Sequence, residues 1–254
     1  MTYIQSPIQS VDDLHRLCEA QVERDNAQFG IKSLYLPNPI FTLTPKYCHV
    51  AMEPSWGRRT LEEFQALVNR GFKNFVGSDG DSILQYCAYT FLCHESFTYQ
   101  ITDISKGAMK TTVASVQRKI RYANWLSILK RELEFFGNPQ LIAIGSTANN
   151  FLNKTSLKVR LCLTHFSQQN SRIFRKYYEQ HPNKFLADGI HIALKDFVAR
   201  MMAELNYDPE MRTFILKGLF NNELSIWKRG MFLSYMDQFS AMAAANKLFG
   251  PTAR

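Results

Sequence analysis

Four short runs of apolar or alternating residues, separated from one another by helical patterns, constrain the fold of this chain most strongly. Runs of this length that end at turn signals are typical of strands, and strands that alternate with helices form parallel sheets covered by helices. We therefore expect a three-layer α/β/α body around a central parallel sheet of about four strands. The four runs are Tyr47–Met52, Thr98–Ser105, Gln140–Ile144 and Val159–Thr164.

Beyond Pro182 the pattern changes to helical apolar periods alone. Residues 183–254 contain no convincing strand candidate, and their Met-rich apolar stripe is more typical of a helical core than of a binding surface. We therefore expect an α/β body over residues 1–182 and a helical extension over residues 183–254 that packs on it.

Composition and charge exclude several classes of protein. No apolar run reaches the roughly 18 residues of a membrane span, and the N-terminal residues do not resemble a signal peptide, which predicts a cytoplasmic protein. The five cysteines stand at 18, 48, 87, 93 and 162 without a CxxC pair, which argues against a disulfide framework or a zinc site. The 30 Lys and Arg exceed the 22 Asp and Glu, and the net charge of +8 permits a polyanionic partner.

Polar and ionisable side chains follow the candidate strands at the points where the strands end. In a parallel α/β sheet, ligands bind outside the carboxyl ends of the strands. These ends carry Glu53 with Ser55, Asp103, Ser146 and His165. Each has an ordinary structural alternative, because a strand-end carboxylate often caps a helix or loop and a single histidine there is usually structural. Their common position in the sheet indicates a binding or catalytic site.

Five segments follow one another along the chain: AMEPSWG at 51–57, NFVGSDGDSIL at 74–84, TDISKG at 102–107, PQLIAIGSTA at 139–148 and THFS at 164–167. In this order they resemble the motifs of the uracil-DNA glycosylase superfamily, particularly its families four and five. The segment at 74–84 is the most specific, because its Phe, Val and two Gly residues are in register with the family's P-F-V-G-x-S-G-x-x-L. The resemblance covers about residues 45–180 and implies the fold and the base-excising activity of that superfamily.

The resemblance implies a role for three of these residues. Glu53 stands where the superfamily orients a water molecule, and a carboxylate there stabilises an oxocarbenium-like sugar. Phe75 would stack on the flipped base, and His165 would donate to the base oxygen O2 as negative charge builds there. The alternatives are that Glu53 caps its loop, that Phe75 is a core residue beneath a Gly-rich loop, and that His165 is structural.

Two residues depart from the family's pattern and bear on the choice of base. Asp103 replaces an Asn, and an ionised carboxylate only accepts hydrogen bonds, which disfavours uracil O4 and suits the N4 amine of cytosine. Ser55 leaves room for a substituent at C5 of the pyrimidine. Together they predict a C5-modified cytosine, hydroxymethylated or glucosylated, as found in bacteriophage DNA. The alternatives are that Asp103 is protonated or lies one residue out of register.

A third departure concerns metal. The related enzymes hold an iron–sulfur cluster on four cysteines, and Gly107 stands where one of them is expected. Because such clusters need their thiolates, we expect no cluster, no cofactor and no metal. The cysteines are then small buried hydrophobic residues.

Basic and polar segments predict contacts with DNA. Residues 104–131 carry seven basic side chains and no acidic one, within a region whose helical pattern covers Val113–Phe136, and Lys106 and Lys110 lead it. Beside a base pocket such a face neutralises phosphates, although a basic helical face is often simply solvated. The other expected contacts are Ser146 and four residues of the loop after His165, namely Ser167, Gln168, Gln169 and Arg172. The alternative is that this segment is an ordinary polar loop.

These expectations combine into one function and two alternatives. The sequence predicts a monomeric, monofunctional DNA glycosylase, since no Lys stands at a catalytic strand end to form a Schiff base. It would excise a modified cytosine of phage DNA in defence of the cell. The first alternative is a repair glycosylase for uracil or other deaminated bases, and the second is a non-catalytic DNA-binding member of the fold.

Overall fold

The computed structural model describes residues 7–57, 59–115, 117–184 and 189–249. Ten α-helices lie in these ranges, and a short π-helical stretch over Ala88–Leu92 continues the third of them. The helices are α1 (Val11–Phe29), α2 (Leu61–Asn69), α3 (Asp79–Cys87), α4 (Thr111–Ala114), α5 (Arg118–Phe135), α6 (Ser146–Leu152), α7 (Ser171–Gln180), α8 (Ile190–Glu204), α9 (Pro209–Gly218) and α10 (Ile226–Phe249).

Six strands form two sheets in the same part of the chain. Four of them form a parallel sheet in the order β3-β2-β5-β6, and β1 and β4 form a small antiparallel pair that the sequence did not predict. The strands are β1 (Leu34–Tyr35), β2 (Tyr47–Ala51), β3 (Tyr99–Asp103), β4 (Gly107–Ala108), β5 (Gln140–Ile144) and β6 (Val159–Leu163).

The larger sheet is centred on β2 and β5. These strands are paired in parallel, from Tyr47 with Gln140 to Val50 with Ala143. Every residue of β2 and β3 is buried, which is typical of strands in a sheet covered on both faces. The predicted α/β class and its four strands are confirmed, and each strand of the larger sheet lies within its predicted run.

The chain divides into two compact units. The first, here called the sheet unit, comprises Met1–Asn74 and Gln100–Cys162, and the second, the helical unit, comprises Phe75–Tyr99 and Leu163–Arg254. This division differs from the expected boundary at residue 182. The reason lies in the packing of α10, which contacts α3, the π-helical stretch and α7.

The core of the sheet unit lies between the sheet and two helices. Residues of α5 and α6 pack on one face of β2 and β5, and the α1 side chains pack against α5 around Trp125. The sheet-facing cluster contains Cys48, Val50, Ile104, Tyr122, Leu129, Leu133, Leu141, Ala143, Ala148 and Leu152. Burial of this apolar surface, at about 25 cal/mol per Å², is what holds α5 and α6 against the strands.

The core of the helical unit is built around the long C-terminal helix. Gly230 in α10 lies so close to α7 that a Cβ atom there would stand 1.8 Å from the backbone oxygen of Phe174, so the contact requires glycine. Aromatic rings fill the other side of the core, with centroids of Tyr86 and Phe197 5.6 Å apart and those of Tyr86 and Phe232 6.0 Å apart. Such pairs stabilise beyond their buried area.

One helix start is encoded by its local sequence, and one predicted helix is interrupted. Thr60 begins α2 with a capping box, since its Oγ1 accepts from the N–H of Glu63 and Glu63 Oε2 accepts from the N–H of Thr60. The basic segment Val113–Phe136, in contrast, is not one helix. It is divided between α4 and α5, and Gln117, at the start of α5, has a φ of 47°.

None of the described helices is both long and apolar enough to cross a bilayer.

Candidate functional site

Two buried carboxylates lie at the carboxyl ends of adjacent strands in the sheet unit. Glu53 follows β2 and Asp103 ends β3. The strands are held together at this end by backbone hydrogen bonds, from Ile104 N–H to the oxygen of Ala51 at 2.9 Å and from Ser105 N–H to the oxygen of Met52 at 3.1 Å. The structure therefore brings these two predicted residues to the same edge of the sheet, and Ser146 follows the neighbouring strand β5 at that edge.

The Glu53 side chain is held by two residues of α5. Arg118 Nη2 donates to Glu53 Oε1 at 2.6 Å, and the hydroxyl of Tyr122 donates to Glu53 Oε2. The Glu53 side chain is 4% exposed and that of Arg118 is 29% exposed. Burial and the adjacent Glu53 carboxylate raise the pKa of Tyr122, so its hydroxyl stays protonated and acts as a donor.

Asp103 belongs to a buried polar network. Asn74 Nδ2 donates to Asp103 Oδ2 at 2.6 Å and to Asn38 Oδ1 at 3.1 Å. Asn38 in turn donates to Thr102 Oγ1, and the Thr102 hydroxyl donates to Glu132 Oε1. Because each of these groups has a partner, the network fixes the rotamer of Asp103 in the low-dielectric interior.

The position of Lys106 corrects the expectation that it contacts DNA phosphate. Its side chain is 3% exposed, and Nζ lies 2.7 Å from Glu132 Oε2 and donates to the backbone oxygen of Asp103. Burial by itself lowers the pKa of Lys106, but the charge and hydrogen bond of Glu132, together with Cys18 and Asp103, outweigh it and raise the pKa. The ammonium is therefore part of the network beneath Asp103 rather than a surface charge. Arg121, in the same basic region, is also buried and donates to the backbone oxygen of Ala114.

Three other predicted residues of the sheet unit are exposed. Lys110 precedes α4, and Ser146 begins α6. Ser55 is exposed beside the short bridge that its backbone forms with Met109, and its hydroxyl accepts from Gly57 N–H at 3.1 Å. Exposure leaves Lys110 and Ser146 accessible to a phosphate backbone, and their roles stay predictions.

Phe75 and His165 both belong to the helical unit. Phe75 is 5% exposed and has a φ of 57°, which is unusual for a residue with a bulky side chain. The buried amide of Gln85 donates to the Phe75 backbone oxygen at 2.5 Å and holds this conformation. The loop that follows leads into α3, where a Cβ on Gly80 would stand 3.1 Å from the Phe166 ring. The structure thus places the glycine loop beside the His165 segment.

The imidazole of His165 is held as a neutral hydrogen-bond donor. Its Nδ1 accepts from the backbone N–H of Ser167 at 3.0 Å, so in the neutral ring the proton is on Nε2. Burial lowers the pKa of His165 to about 4, which keeps the ring neutral at physiological pH. The ring stacks on Phe166 with centroids 4.7 Å apart, and Asn170 Nδ2 donates to the His165 backbone oxygen.

The loop after His165 contains the remaining predicted DNA contacts. Gln168 and Gln169 lie in a short 3₁₀ turn, and Arg172 lies in the first turn of α7. Gln169 and Arg172 are exposed, while Ser167 is half-buried. The side chain of Gln168 lies outside the described part of the structure, so its predicted role is not addressed by it.

The residues that hold Glu53 and Asp103 were missed by sequence reasoning. Arg118 was assigned only to a general basic face, and Tyr122, Asn74 and Glu132 were not selected at all. The spacing of Arg118 and Tyr122, four residues apart on a helix, puts both on one face and was a usable signal for a shared partner. No local pattern connects Asn74 with Asp103 or Glu132 with Lys106.

No group of three or more His, Cys, Asp and Glu side chains in the described ranges is arranged to hold a metal ion. Four cysteines, Cys18, Cys48, Cys87 and Cys93, are buried, and burial raises the pKa of the Cys18 thiol to about 12. A thiol in this state is neither a nucleophile nor a ready metal ligand.

Comparison with known proteins adds no assignment, since no protein-family model matches the chain and no curated protein shows significant similarity to it. The function therefore has to be argued from the geometry of these residues.

Proposed function

We propose that this chain is a monofunctional DNA glycosylase with a fold like that of the uracil-DNA glycosylases. It would hydrolyse the bond between deoxyribose and a C5-modified cytosine, hydroxymethylated or glucosylated, and leave an abasic site. Ordinary cytosine is too common in a host genome to be a safe target, whereas modified cytosine marks phage DNA. The biological role would be defence against phage.

The observation that carries this proposal is the pair of buried carboxylates, Glu53 and Asp103, at adjacent strand ends of the parallel sheet. Ligands of α/β proteins bind at this edge. Glycosyl hydrolysis needs one group that stabilises the cationic sugar and positions water, and another that recognises the base. The two carboxylates supply these two kinds of group.

Glu53 retains the capacity to hold water in spite of its two protein partners. A carboxylate has about four lone-pair sites, and Arg118 and Tyr122 use one site on each oxygen. A water molecule can therefore donate a hydrogen bond to either oxygen of the Glu53 carboxylate. The two α5 residues also fix the carboxylate in one rotamer, which is the pre-organisation that water activation requires.

His165 supplies the donor that the departing base needs. As the glycosidic bond breaks, negative charge develops on the pyrimidine, and a neutral Nε2–H stabilises it by an oxyanion-type contact. The hydrogen bond from Ser167 N–H to Nδ1 and the pKa of about 4 for His165 support this assignment. Phe75 is assigned to stacking on the base. Exposed Lys110, Ser146, Gln169 and Arg172 and half-buried Ser167 are assigned to the DNA backbone.

A second candidate function is binding of DNA without catalysis. The ion pair between Glu53 and Arg118 favours it, because a carboxylate that is 4% exposed and bonded at both oxygens also serves as a structural tie between β2 and α5. A third candidate is a repair glycosylase that removes uracil or hypoxanthine, which requires Asp103 to be protonated or to have no contact with the base.

The test is a panel of oligonucleotides that contain uracil, hypoxanthine, 5-methylcytosine, 5-hydroxymethylcytosine or glucosylated 5-hydroxymethylcytosine. Base release is measured as alkali-labile abasic sites, on single strands and duplexes. We expect release from a modified cytosine and little or none from uracil. Faster release of uracil would support the repair alternative, and no release from any substrate, with DNA binding intact, would support the non-catalytic one.

Glu53→Gln is the decisive variant. Gln keeps an acceptor for Arg118 or Tyr122 but cannot stabilise a cationic sugar, so release should fall by at least about 100-fold while DNA affinity is retained. Its far-UV circular dichroism and unfolding midpoint show whether the variant is folded. The exposed Glu134 of the same unit, changed to Gln, serves as the matched control and should leave release unchanged.

A further inference from the structure

A cleft of about 900 Å³ lies between α5 and α6 in the sheet unit, and its lining includes Arg118 and Tyr122, the two residues that hold Glu53. The proposed activity assigns no ligand to this cleft. This volume falls within the range of small-molecule sites, about 300–1,000 Å³. Its lining combines three basic side chains, several amides and hydroxyls, and an apolar wall, and it includes no acidic side chain.

The basic side chains stand on both walls of the cleft. Arg118 and Lys119 are in the first turn of α5, and Lys154 follows α6. Arg118 is paired with Glu53, but Lys119 and Lys154 are exposed and have no carboxylate partner among the described residues. Two cations in the first turn of a helix are unfavourable because the helix dipole is positive there. An anion bound in the cleft would remove this repulsion.

Arg118 adds an unsatisfied donor at the same place. Its Nη2 is used by Glu53, whereas Nε is buried and has no acceptor in the part of the chain that the structure describes. Buried donors in proteins nearly always have a partner, so an acceptor from outside the protein is expected here. A phosphate oxygen or a water that bridges to one meets this need.

The apolar wall fits a flat ring. Phe151 is half-buried and packs edge-on against Tyr122, with centroids 5.2 Å apart, and Ile120 is 51% exposed, which is high for a side chain of its size. Gln117 and Asn150 also line the cleft, where their amides can bond to the edge of a base. An acyl chain would contact the apolar wall but would form no hydrogen bonds with these amides.

We propose that this cleft binds a nucleotide, with its phosphate on Lys119 and Lys154 and its base against Phe151 and Ile120. Aromatic faces bind bases with little sequence preference, and lysines bind phosphate as point charges. Two sources share this chemistry: a free mononucleotide, or an unpaired nucleotide of a DNA strand. Binding here does not require base release, and the cleft shares Arg118 and Tyr122 with the site of Glu53.

The experiment measures binding to the full chain by calorimetry and fluorescence anisotropy. The probes are dCMP, deoxycytidine, a blunt duplex, and the same duplex with a single-stranded overhang. If the site binds a free nucleotide, dCMP should bind saturably and at least about 10-fold more tightly than deoxycytidine. If it binds a strand nucleotide, only the overhang duplex should bind more tightly than the blunt one.

Lys154→Ala is the test variant, and Lys158→Ala is its matched control, since Lys158 is exposed in the same unit but does not line the cleft. We expect Lys154→Ala to weaken the preferred probe about 10-fold and Lys158→Ala to leave it unchanged. Phe151→Leu, which keeps an apolar residue, should weaken dCMP or overhang binding without changing the unfolding midpoint by more than a few degrees. Equal weakening by Lys154→Ala and Lys158→Ala, or no preference for any probe, would overturn the proposal.

Discussion

Arg118 Nη2 donates to Glu53 Oε1 over 2.6 Å, and this one guanidinium also forms part of the wall of the α5–α6 cleft. The pair joins the end of β2 to the start of α5, two segments that are 65 residues apart in the sequence. A residue at this position both fixes the orientation of the carboxylate and stabilises the packing of α5. Its substitution should therefore affect the free energy of unfolding and the rate of base release together.

Replacement of Arg118 by Gln should lower the free energy of unfolding by about 2 kcal/mol, because a charged hydrogen bond to a buried carboxylate is lost. It should also lower base release at least 10-fold, since Glu53 is then held by the hydroxyl of Tyr122 alone. Urea denaturation gives the first quantity, and abasic-site formation at a temperature where the variant is folded gives the second. Lys119→Gln, an exposed neighbour, should change stability by less than about 0.5 kcal/mol. Normal base release by folded Arg118→Gln would show that Arg118 does not position Glu53.

Substitution by Met should lower the stability of the protein at Lys106 but not at Lys110. Lys106→Met leaves the Glu132 carboxylate buried without a cation, so the free energy of unfolding should fall by about 3–5 kcal/mol. Lys110→Met removes an exposed charge and should leave stability nearly unchanged. If Lys110 contacts a phosphate, its loss should reduce the salt dependence of duplex binding, with a slope smaller by about 0.9.

These two measurements use urea denaturation and anisotropy titrations at several salt concentrations. The outcome that contradicts the structure is a stable Lys106→Met variant with a reduced salt slope, because it would place Lys106 at the DNA surface as the sequence alone suggested.

The four strands of the parallel sheet were predictable from the sequence, whereas the partners of the site residues were not. A strand such as Gln140–Ile144 is encoded locally, by five consecutive residues between turn signals. The partners of Glu53 and Asp103 are distant in the sequence and meet only through tertiary packing. Lys106 was misread for the same reason, because a count of basic residues does not reveal which of them has a buried acidic partner. The break between α4 and α5 has no Gly or Pro signal, since Gln117 adopts the positive φ.

Stability should fall in mild acid because of two buried histidines. Burial lowers the pKa of both His165 and His49 to about 4, from an ordinary value of 6.5. Between pH 6.5 and 4 the unfolded chain binds protons that the native state does not, so the free energy of unfolding rises with pH in this window. The stability that the two neutral histidines contribute is therefore lost progressively as the pH falls from 6.5 to 4. Above pH 6.5 neither group contributes any slope.

His165→Gln should therefore reduce the slope of stability against pH between about 6.5 and 4, measured by urea denaturation at several pH values. The slope that remains belongs to the other groups with shifted pKa values, among them His49 and, with the opposite sign, Asp81. Base release by the wild type should not decline from protonation of His165 until the pH approaches 4. A variant slope identical to that of the wild type would show that His165 titrates in the native state as it does in the unfolded chain.

Asp103→Asn should move base preference toward uracil, and the structure gives the reason. Asn74 Nδ2 donates to Asp103 Oδ2 at 2.6 Å, so an Asn at 103 would turn its own carbonyl oxygen toward Asn74. Its NH₂ group would then take the place of Oδ1 and present a donor where the carboxylate only accepts. A donor is complementary to uracil O4 and opposed to the N4 amine of cytosine. Mismatches of this kind discriminate strongly, so the ratio of uracil to modified-cytosine release should rise at least 10-fold.

Asn74→Ala provides the control for this interpretation. A carboxylate accepts in any orientation, so Asn74→Ala alone should slow base release but leave the base preference unchanged. In the double variant Asn74→Ala/Asp103→Asn the amide at 103 is no longer oriented, and the gain in uracil preference should be smaller than in Asp103→Asn. If Asp103→Asn leaves the preference unaltered while the protein stays folded, Asp103 does not read the base and its place in the network with Asn74 and Lys106 is purely structural.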